Sequence, residues 1–232
     1  MPSPFRNENA FCARQTCHRY RKVSPFGGHY HILVNPFPIF PRHLTVPELA
    51  HTPQRIATRF TDMLELAEAL TDYTIFYNGP KCGASAPDHA HFQAGNKGFM
   101  PIEKDWRGQT AGKIADYRKA ALWYLDDAPR ATLVIESISK EDAADLFDII
   151  YRSLDVKPEE DEPMMNVLVL YEADRWVVFV FPRENTARLL YCRRRSQSVE
   201  QPGIRRLGRC LYHPRRKGFL ENHCGRRGAD IK

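Results

Sequence analysis

The sequence predicts an α+β domain built on an antiparallel sheet with inserted helices, and three observations carry that expectation. Short apolar runs of strand length recur between turn residues, at His29–Val34, His43–Val46, Tyr73–Tyr77 and Ala131–Glu136. Two further runs, Asn166–Tyr171 and Trp176–Phe181, are separated only by Glu172-Ala173-Asp174-Arg175, which reads as a hairpin. The order is strand-rich, with stretches of helical period set between the strands. No internal repeat is visible.

Residues 1–27 read as a polar, irregular N-terminal segment. After the strand at His29–Val34, Pro36, Pro38 and Pro41 forbid a helix and favour an extended ledge, from which His43–Val46 turns back as a second strand. Thr52 with Pro53 predicts a helix start, and Ile56, Phe60, Met63, Leu64, Ala67 and Leu70 supply a buried stripe as far as Leu70. Tyr73–Tyr77 is a third strand. Asn78–Asp88 is a glycine- and proline-containing loop, and the alternation in His89–Gln93 suits a strand. Ala111–Leu125 is expected to be a helix. Lys140–Leu154 is another, with Glu141 and Asp142 complementing the dipole at its start.

The chain has 232 residues, of which 43% are hydrophobic and 27% charged, enough apolar content for one sizeable packed domain. No run of 18 apolar residues exists, and Met1–Glu8 has no apolar stretch of the kind a secretory signal needs. Six cysteines are too few for a disulfide scaffold, so a cytoplasmic protein is expected. The net charge of +6 is unevenly spread. Residues 188–232 hold 13 Lys/Arg against Glu200, Glu221 and Asp230, so this part carries +10 and the rest −4. That basic tail has neither interleaved aromatics nor an amphipathic period, so nucleic acid is not expected as the main partner. It reads as a disordered arm or as the product of a shifted reading frame, and the folded domain is expected over 28–187.

The informative segment is Asn78-Gly79-Pro80-Lys81-Cys82-Gly83-Ala84-Ser85-Ala86-Pro87-Asp88-His89-Ala90-His91-Phe92-Gln93. With nine histidines in the chain, a bare H-x-H pair is expected roughly 0.35 times by chance, and His29-Tyr30-His31 is a second one. Requiring glutamine two residues later lowers the expectation to about 0.01, and the glycine-containing loop lowers it further. On a strand, His89, His91 and Gln93 would share one face and converge on one group. A neutral imidazole is a competent nucleophile toward phosphorus near pH 7. Gly83 and Ser85 let backbone N–H groups approach phosphate oxygens. A glutamine amide can stabilise those oxygens without itself titrating.

His89-Ala90-His91-Phe92-Gln93 resembles the H-x-H-x-Q motif of the transferase branch of the histidine-triad superfamily, which includes galactose-1-phosphate uridylyltransferases and diadenosine tetraphosphate phosphorylases (ATP adenylyltransferases). Gly83-Ala84-Ser85 with Pro87 is similar to the phosphorylase loop, with one residue more before the first histidine. Asn35-Pro36-Phe37-Pro38-Ile39-Phe40-Pro41-Arg42-His43-Leu44 is similar to the N-x-x-P-x-x-P-x-H segment lining the nucleotide pocket, and Val180-Phe181-Pro182-Arg183 also resembles the phosphorylases. The resemblance covers about residues 28–187. It implies a HIT-like antiparallel sheet and nucleotidyl transfer by double displacement. His91 would be the nucleophile, Gln93 would hold phosphoryl oxygens, and His89 would orient its neighbour or support the loop. Asn35 would contact the ribose, and Asn78, Gly83 and Ser85 would hold phosphate. Lys81 or Lys97 would offset polyphosphate charge, and the Phe37/Phe40 pair would stack on a base of unspecified identity.

The implied partners are a nucleotide donor (a dinucleoside polyphosphate or nucleoside diphosphate-sugar) and a phosphate or sugar-phosphate acceptor, with the chain a monomer or homodimer. The resemblance leaves a nucleotide hydrolase and an inactive nucleotide-binding protein as alternatives. No cofactor is required, although Mg²⁺ can accompany such nucleotides. A cupin metal motif fails, because the positions where it needs glutamate are Gly95 and Asn96. Cys12 and Cys17, spaced C-x4-C, leave a structural zinc open, since some uridylyltransferases bind zinc through a cysteine pair and histidines.

Overall fold

The structure, a computed structural model, describes residues 22–108, 111–125 and 131–183. Ten strands form one antiparallel sheet: β1 Lys22–Phe26, β2 Tyr30–Val34, β3 His43–Pro47, β4 Tyr73–Asn78, β5 His91–Asn96, β6 Ala111–Tyr117, β7 Ala120–Leu125, β8 Thr132–Ser137, β9 Met165–Glu172 and β10 Arg175–Pro182. Their spatial order is β1-β2-β3-β5-β4-β9-β10-β8-β7-β6. Among the described residues three helices accompany them, α1 Phe60–Ala69, α2 Pro101–Asp105 and α3 Lys140–Ser153. The fold is therefore α+β, as the strand-rich order predicted. Cys12, Cys17 and the basic tail at 188–232 lie outside the described residues.

The two faces of the sheet are filled differently. Ile75, Tyr77, Phe92, Ala94, Val167 and Val169 are buried together with Phe60, Met63 and Leu64 of α1 and Leu146, Phe147 and Ile150 of α3. Phe60 and Phe147 stack with ring centroids 3.7 Å apart, and Trp176 Nε1–H donates to Leu64 O at 3.1 Å. The opposite face carries a smaller cluster of Trp106, Leu125, Val134, Leu170, Val177 and Phe179. Because alternate residues of a strand face opposite ways, Phe92 and Ala94 go to the helices while His91, Gln93 and Gly95 go to the other face.

On that other face Gly95 meets Phe40. A Cβ at Gly95 would lie 2.7 Å from Phe40 Cγ, and the Phe40 ring is held in turn by Phe76 at 5.5 Å and Phe99 at 5.0 Å. Gly95→Ala should therefore destabilise the fold by about 1–3 kcal/mol through overpacking. Denaturant unfolding measures this, and an unchanged midpoint would contradict the tight seat.

Two expected elements differ. Ala111–Leu125 is not a helix but the β6–β7 hairpin. The alanines, lysine and leucines there favour a helix locally, but Ala120, Leu122 and Tyr124 are buried at period two and pair with Ser137, Ile135 and Leu133 of β8. The turn places Arg118 at φ 50°, supported by its guanidinium on Asp142 and Asp145 and by Lys119 N–H on Asp142 Oδ2 at 3.1 Å. The helix expected from Thr52 begins only at Phe60, because the side chains ahead of it make tertiary bonds. The Thr52 hydroxyl donates to Glu48, and Gln54 is buried against β4 and β5. In addition, β1 lies in the segment expected to be irregular, with Pro25 opposite His31 and Phe26 opposite Tyr30 of β2. Among the described residues no helix is long and apolar enough to cross a membrane.

Candidate active site

β4 and β5 pair from Tyr73–Asn96 to Phe76–Gln93, and the loop of residues 79–90 joins their ends at Asn78 and His91. Past Phe76, β4 continues on β9 through Tyr77–Val167 and Asn78–Asn166. Here the Gln54 carboxamide stands between β4 and β5. Its Nε2 donates to Asn78 O at 3.1 Å and to His91 O at 3.0 Å, and its Oε1 accepts from His91 N–H at 2.8 Å. Gln54 is 1% exposed, so a side chain supplies the bonds a neighbouring strand would make.

This clamp fixes the backbone of His91, and a second bond fixes its ring. His91 Nδ1 lies 2.9 Å from His89 O. A carbonyl only accepts, so Nδ1 carries the proton and the neutral ring has its lone pair on Nε2. Burial lowers the pKa of His91 from the ordinary imidazole value, and the His89 contact only partly opposes this. His91 is thus held as a neutral imidazole of defined tautomer.

His89 does not share the strand face with His91, as its spacing suggested. It precedes β5 and is fully buried, with Nε2 donating to Glu48 O at 2.8 Å and Nδ1 3.1 Å from His51 Nδ1. The backbone carbonyl of His89, rather than its ring, orients His91. Gln93 does share the face. It stands opposite Thr45 of β3 and Phe76 of β4, and its Oε1 lies 2.9 Å from His43 Nε2. Burial lowers the pKa of His43, the bond to Gln93 opposing it.

The loop folds as two turns, with Cys82 N–H on Gly79 O at 2.8 Å and His89 N–H on Ala86 O at 3.2 Å. Between them Gly83 is at φ +101°, where L side chains are strained, and Gly83 and Ser85 form an exposed crest. Asn78 lies at the base of the loop. Its Oδ1 accepts from Asn166 Nδ2 at 2.6 Å, and the same NH2 donates to Cys82 O at 2.8 Å. Arg183, exposed just after β10, donates to Cys82 O at 3.2 Å. The buried Cys82 thiol is pushed up by burial, with Arg183 pulling the other way. His91, Gln93, Asn78, Gly83 and Ser85 therefore belong to one end of one sheet face and its loop.

Three expected participants sit elsewhere or are otherwise engaged. Lys97 follows the far end of β5, beyond the Tyr73–Asn96 pair, and its ammonium donates to Tyr171 O. The length of β4 separates it from the loop, roughly 17 Å at the rise of an extended strand. Lys81 reaches back to Glu159 O at 3.4 Å and to Glu160 at 3.8 Å. Asn35 closes the ledge, its Oδ1 accepting from Phe37 N–H and its Nδ2 donating to Thr45 Oγ1, both at 2.9 Å. The strand it follows, β2, is separated from β5 by β3. Phe37 and Phe40 do not form one aromatic platform, since Phe37 is 82% exposed and Phe40 only 9%.

Sequence reasoning missed His43, Gln54, Asn166 and Arg183 as contributors. His43 and Arg183 stood in segments already singled out. Gln54 and Asn166 carry no local signal, because each acts on a strand distant in sequence. Among the described residues no cluster of three or more His, Cys, Asp or Glu is placed to hold a metal ion.

With this geometry in view, the comparisons place the chain only coarsely. No curated protein matches it. A DUF4931 family protein from Bacillus cereus, of known crystal structure, superposes with a TM-score of 0.52 at 17% identity, covering 82% of this chain and 97% of the other; the likeness is one of fold. Residues 3–96 match the family model described as Domain of unknown function (DUF4922), a stretch that contains the whole loop together with Asn35, His43, Gln54, His91 and Gln93.

Proposed function

We propose that this chain is a nucleotidyltransferase of the histidine-triad transferase type. It acts on a dinucleoside polyphosphate or nucleoside diphosphate-sugar through a nucleotidyl-His91 intermediate. The observation that carries this reading is the His91 Nδ1–H bond to its neighbour's carbonyl, which leaves a buried, neutral ring with its lone pair on Nε2. In the first step Nε2 attacks the α-phosphorus, a P–N bond forms and the bond to the leaving phosphate oxygen breaks. The leaving group departs as a phosphate or polyphosphate anion and needs no proton from the protein. The positive charge gained by the imidazole is stabilised by the His89 carbonyl through Nδ1–H. In the second step a phosphate oxygen of the acceptor attacks the same phosphorus, the P–N bond breaks and neutral His91 returns.

Gln93 is the reason for preferring transfer to hydrolysis. Its carboxamide neither takes up nor releases a proton in the working range, so it stabilises phosphoryl oxygens without activating water. At the loop crest the N–H groups of Gly83 and Ser85 serve the β-phosphate side, Asn166 ties Asn78 to the base of that loop, and Arg183 on Cys82 O supplies a cation beside it. Asn35 shapes the ledge on which the nucleoside lies.

The test incubates purified protein with diadenosine tetraphosphate or GDP-glucose and ³²P-labelled inorganic phosphate. Label should appear in the released nucleoside diphosphate. Label that stays in inorganic phosphate with both donors and with ADP would overturn the reading. The pH dependence has a definite sign. Burial favours neutral His91, so the neutral nucleophile persists as pH falls below the ordinary imidazole value of 6.5 and is lost only as pH drops through the lowered value. The acid limb of the first step should therefore lie below pH 6.5, and a limb centred above it would contradict the buried neutral ring.

A further inference from the structure

The Gln93 carboxamide can serve phosphoryl oxygens only if its NH2, and not its oxygen, faces them, and neither the strand nor the sheet register decides which way round it sits. His43 decides it. Ile39 N–H donates to His43 Nδ1 at 3.3 Å, so Nδ1 holds the lone pair and the neutral ring carries its proton on Nε2. That proton points at Gln93 Oε1, 2.9 Å away.

The ring has little freedom to do otherwise. It stacks on Phe76 with centroids 5.8 Å apart and meets the edge of Phe40 at 5.3 Å, and it is 5% exposed. Asn35 Nδ2 gives one of its two hydrogens to Thr45 Oγ1 at 2.9 Å, and although it lies 3.4 Å from the same ring nitrogen, an amide nitrogen does not accept the Nε2 proton, so it does not compete with Gln93 for it. With Oε1 anchored toward β3, the NH2 of Gln93 is turned away from His43.

Resting on the transferase reading above, we propose that His43 is a positioning residue. Its Nε2–H fixes the amide orientation of Gln93, so that Gln93 presents donors rather than an acceptor to the nucleotide's phosphoryl oxygens. Because His43 acts only through Gln93, its loss and the loss of Gln93 should be one loss.

The experiment measures the single-turnover rate of nucleotidyl-enzyme formation from diadenosine tetraphosphate, and the concentration giving half that rate, in five proteins. They are wild type, His43→Phe, His43→Gln, Gln93→Ala and the His43→Phe/Gln93→Ala double variant, each checked for folding by thermal unfolding. Phenylalanine keeps the ring packing and removes the donor; glutamine restores an N–H near the Nε2 position. His43→Phe should slow the step by about 10- to 100-fold, with the half-saturating concentration changed less than about threefold. The double variant should be no slower than Gln93→Ala, and His43→Gln should recover part of the rate. Multiplied losses in the double variant, or no recovery with glutamine, overturn the proposal.

A second measurement does not depend on activity. Long-range ¹H–¹⁵N spectra of wild type should show His43 protonated on Nε2 and not on Nδ1, with that resonance shifting in Gln93→Ala. If wild type forms no nucleotidyl-enzyme, the transferase reading fails while these spectra still decide the contact. An Nδ1–H tautomer, or a resonance indifferent to Gln93, overturns it.

Discussion

Replacing His91 with Asn or Ala should lower phosphate-dependent cleavage of the donor by roughly 10⁴–10⁶, the scale on which removal of a covalent nucleophile acts. The loss should fall on turnover rather than on nucleotide affinity, because His91 forms its bond to phosphorus in the transition state and not in the initial complex. Fold should survive in the Asn variant, since the backbone of residue 91 is held by Gln54 and not by its own side chain. Steady-state assays over donor concentration separate the two effects. Near-normal rates in either variant would reassign the histidine pair to orienting substrate for direct attack.

Gln54→Leu should have the largest effect on stability of the substitutions around the site. It removes the partners of three backbone groups at once, His91 N–H, His91 O and Asn78 O, in a place where the replaced side chain is fully buried. Unpaired buried polar groups cost about 1–3 kcal/mol each, so a loss of at least about 3 kcal/mol is expected. For a chain of this size that corresponds to a fall in Tm of roughly 6–12 °C. Thermal unfolding checks it, and a Tm within about 2 °C of wild type would show that these groups find other partners. Activity per folded molecule should fall too, because the clamp sets where His91 stands.

The local part of this architecture was legible in the sequence and the tertiary part was not. Apolar runs of strand length such as Thr132–Ser137 and Met165–Glu172 placed most strands to within a residue or two, and the stripe Phe60–Met63–Leu64–Ala67 marked the end of a helix whose start was expected several residues too early. Ala111–Leu125 was misread because its residues favour a helix locally, and nothing in the sequence announces that Arg118 adopts a positive φ propped by two aspartates of α3. Spacing placed His91 and Gln93 together correctly. It misplaced His89, because β5 begins only at His91 and the two-residue rule has no force outside a strand. Lys97 is close to the motif in sequence but lies at the opposite end of β4, since an extended chain carries each residue about 3.4 Å further from the loop. Gln54 and His43, which hold the backbone of one site residue and the amide of another, became visible only when the strands were brought side by side.

The most direct measurement of the central claim is the intact mass of the protein after mixing with diadenosine tetraphosphate or GDP-glucose in the absence of phosphate, followed by peptide mapping at neutral to basic pH. Wild type should gain the mass of one nucleoside monophosphoryl group, on the peptide containing His91, acid-labile and stable to base. That mass should disappear when phosphate is added and should be absent from His91→Asn. Phosphate-dependent cleavage of the donor by a protein that never carries this mass, or a nucleotidyl group mapped to any other residue, would contradict double displacement at His91.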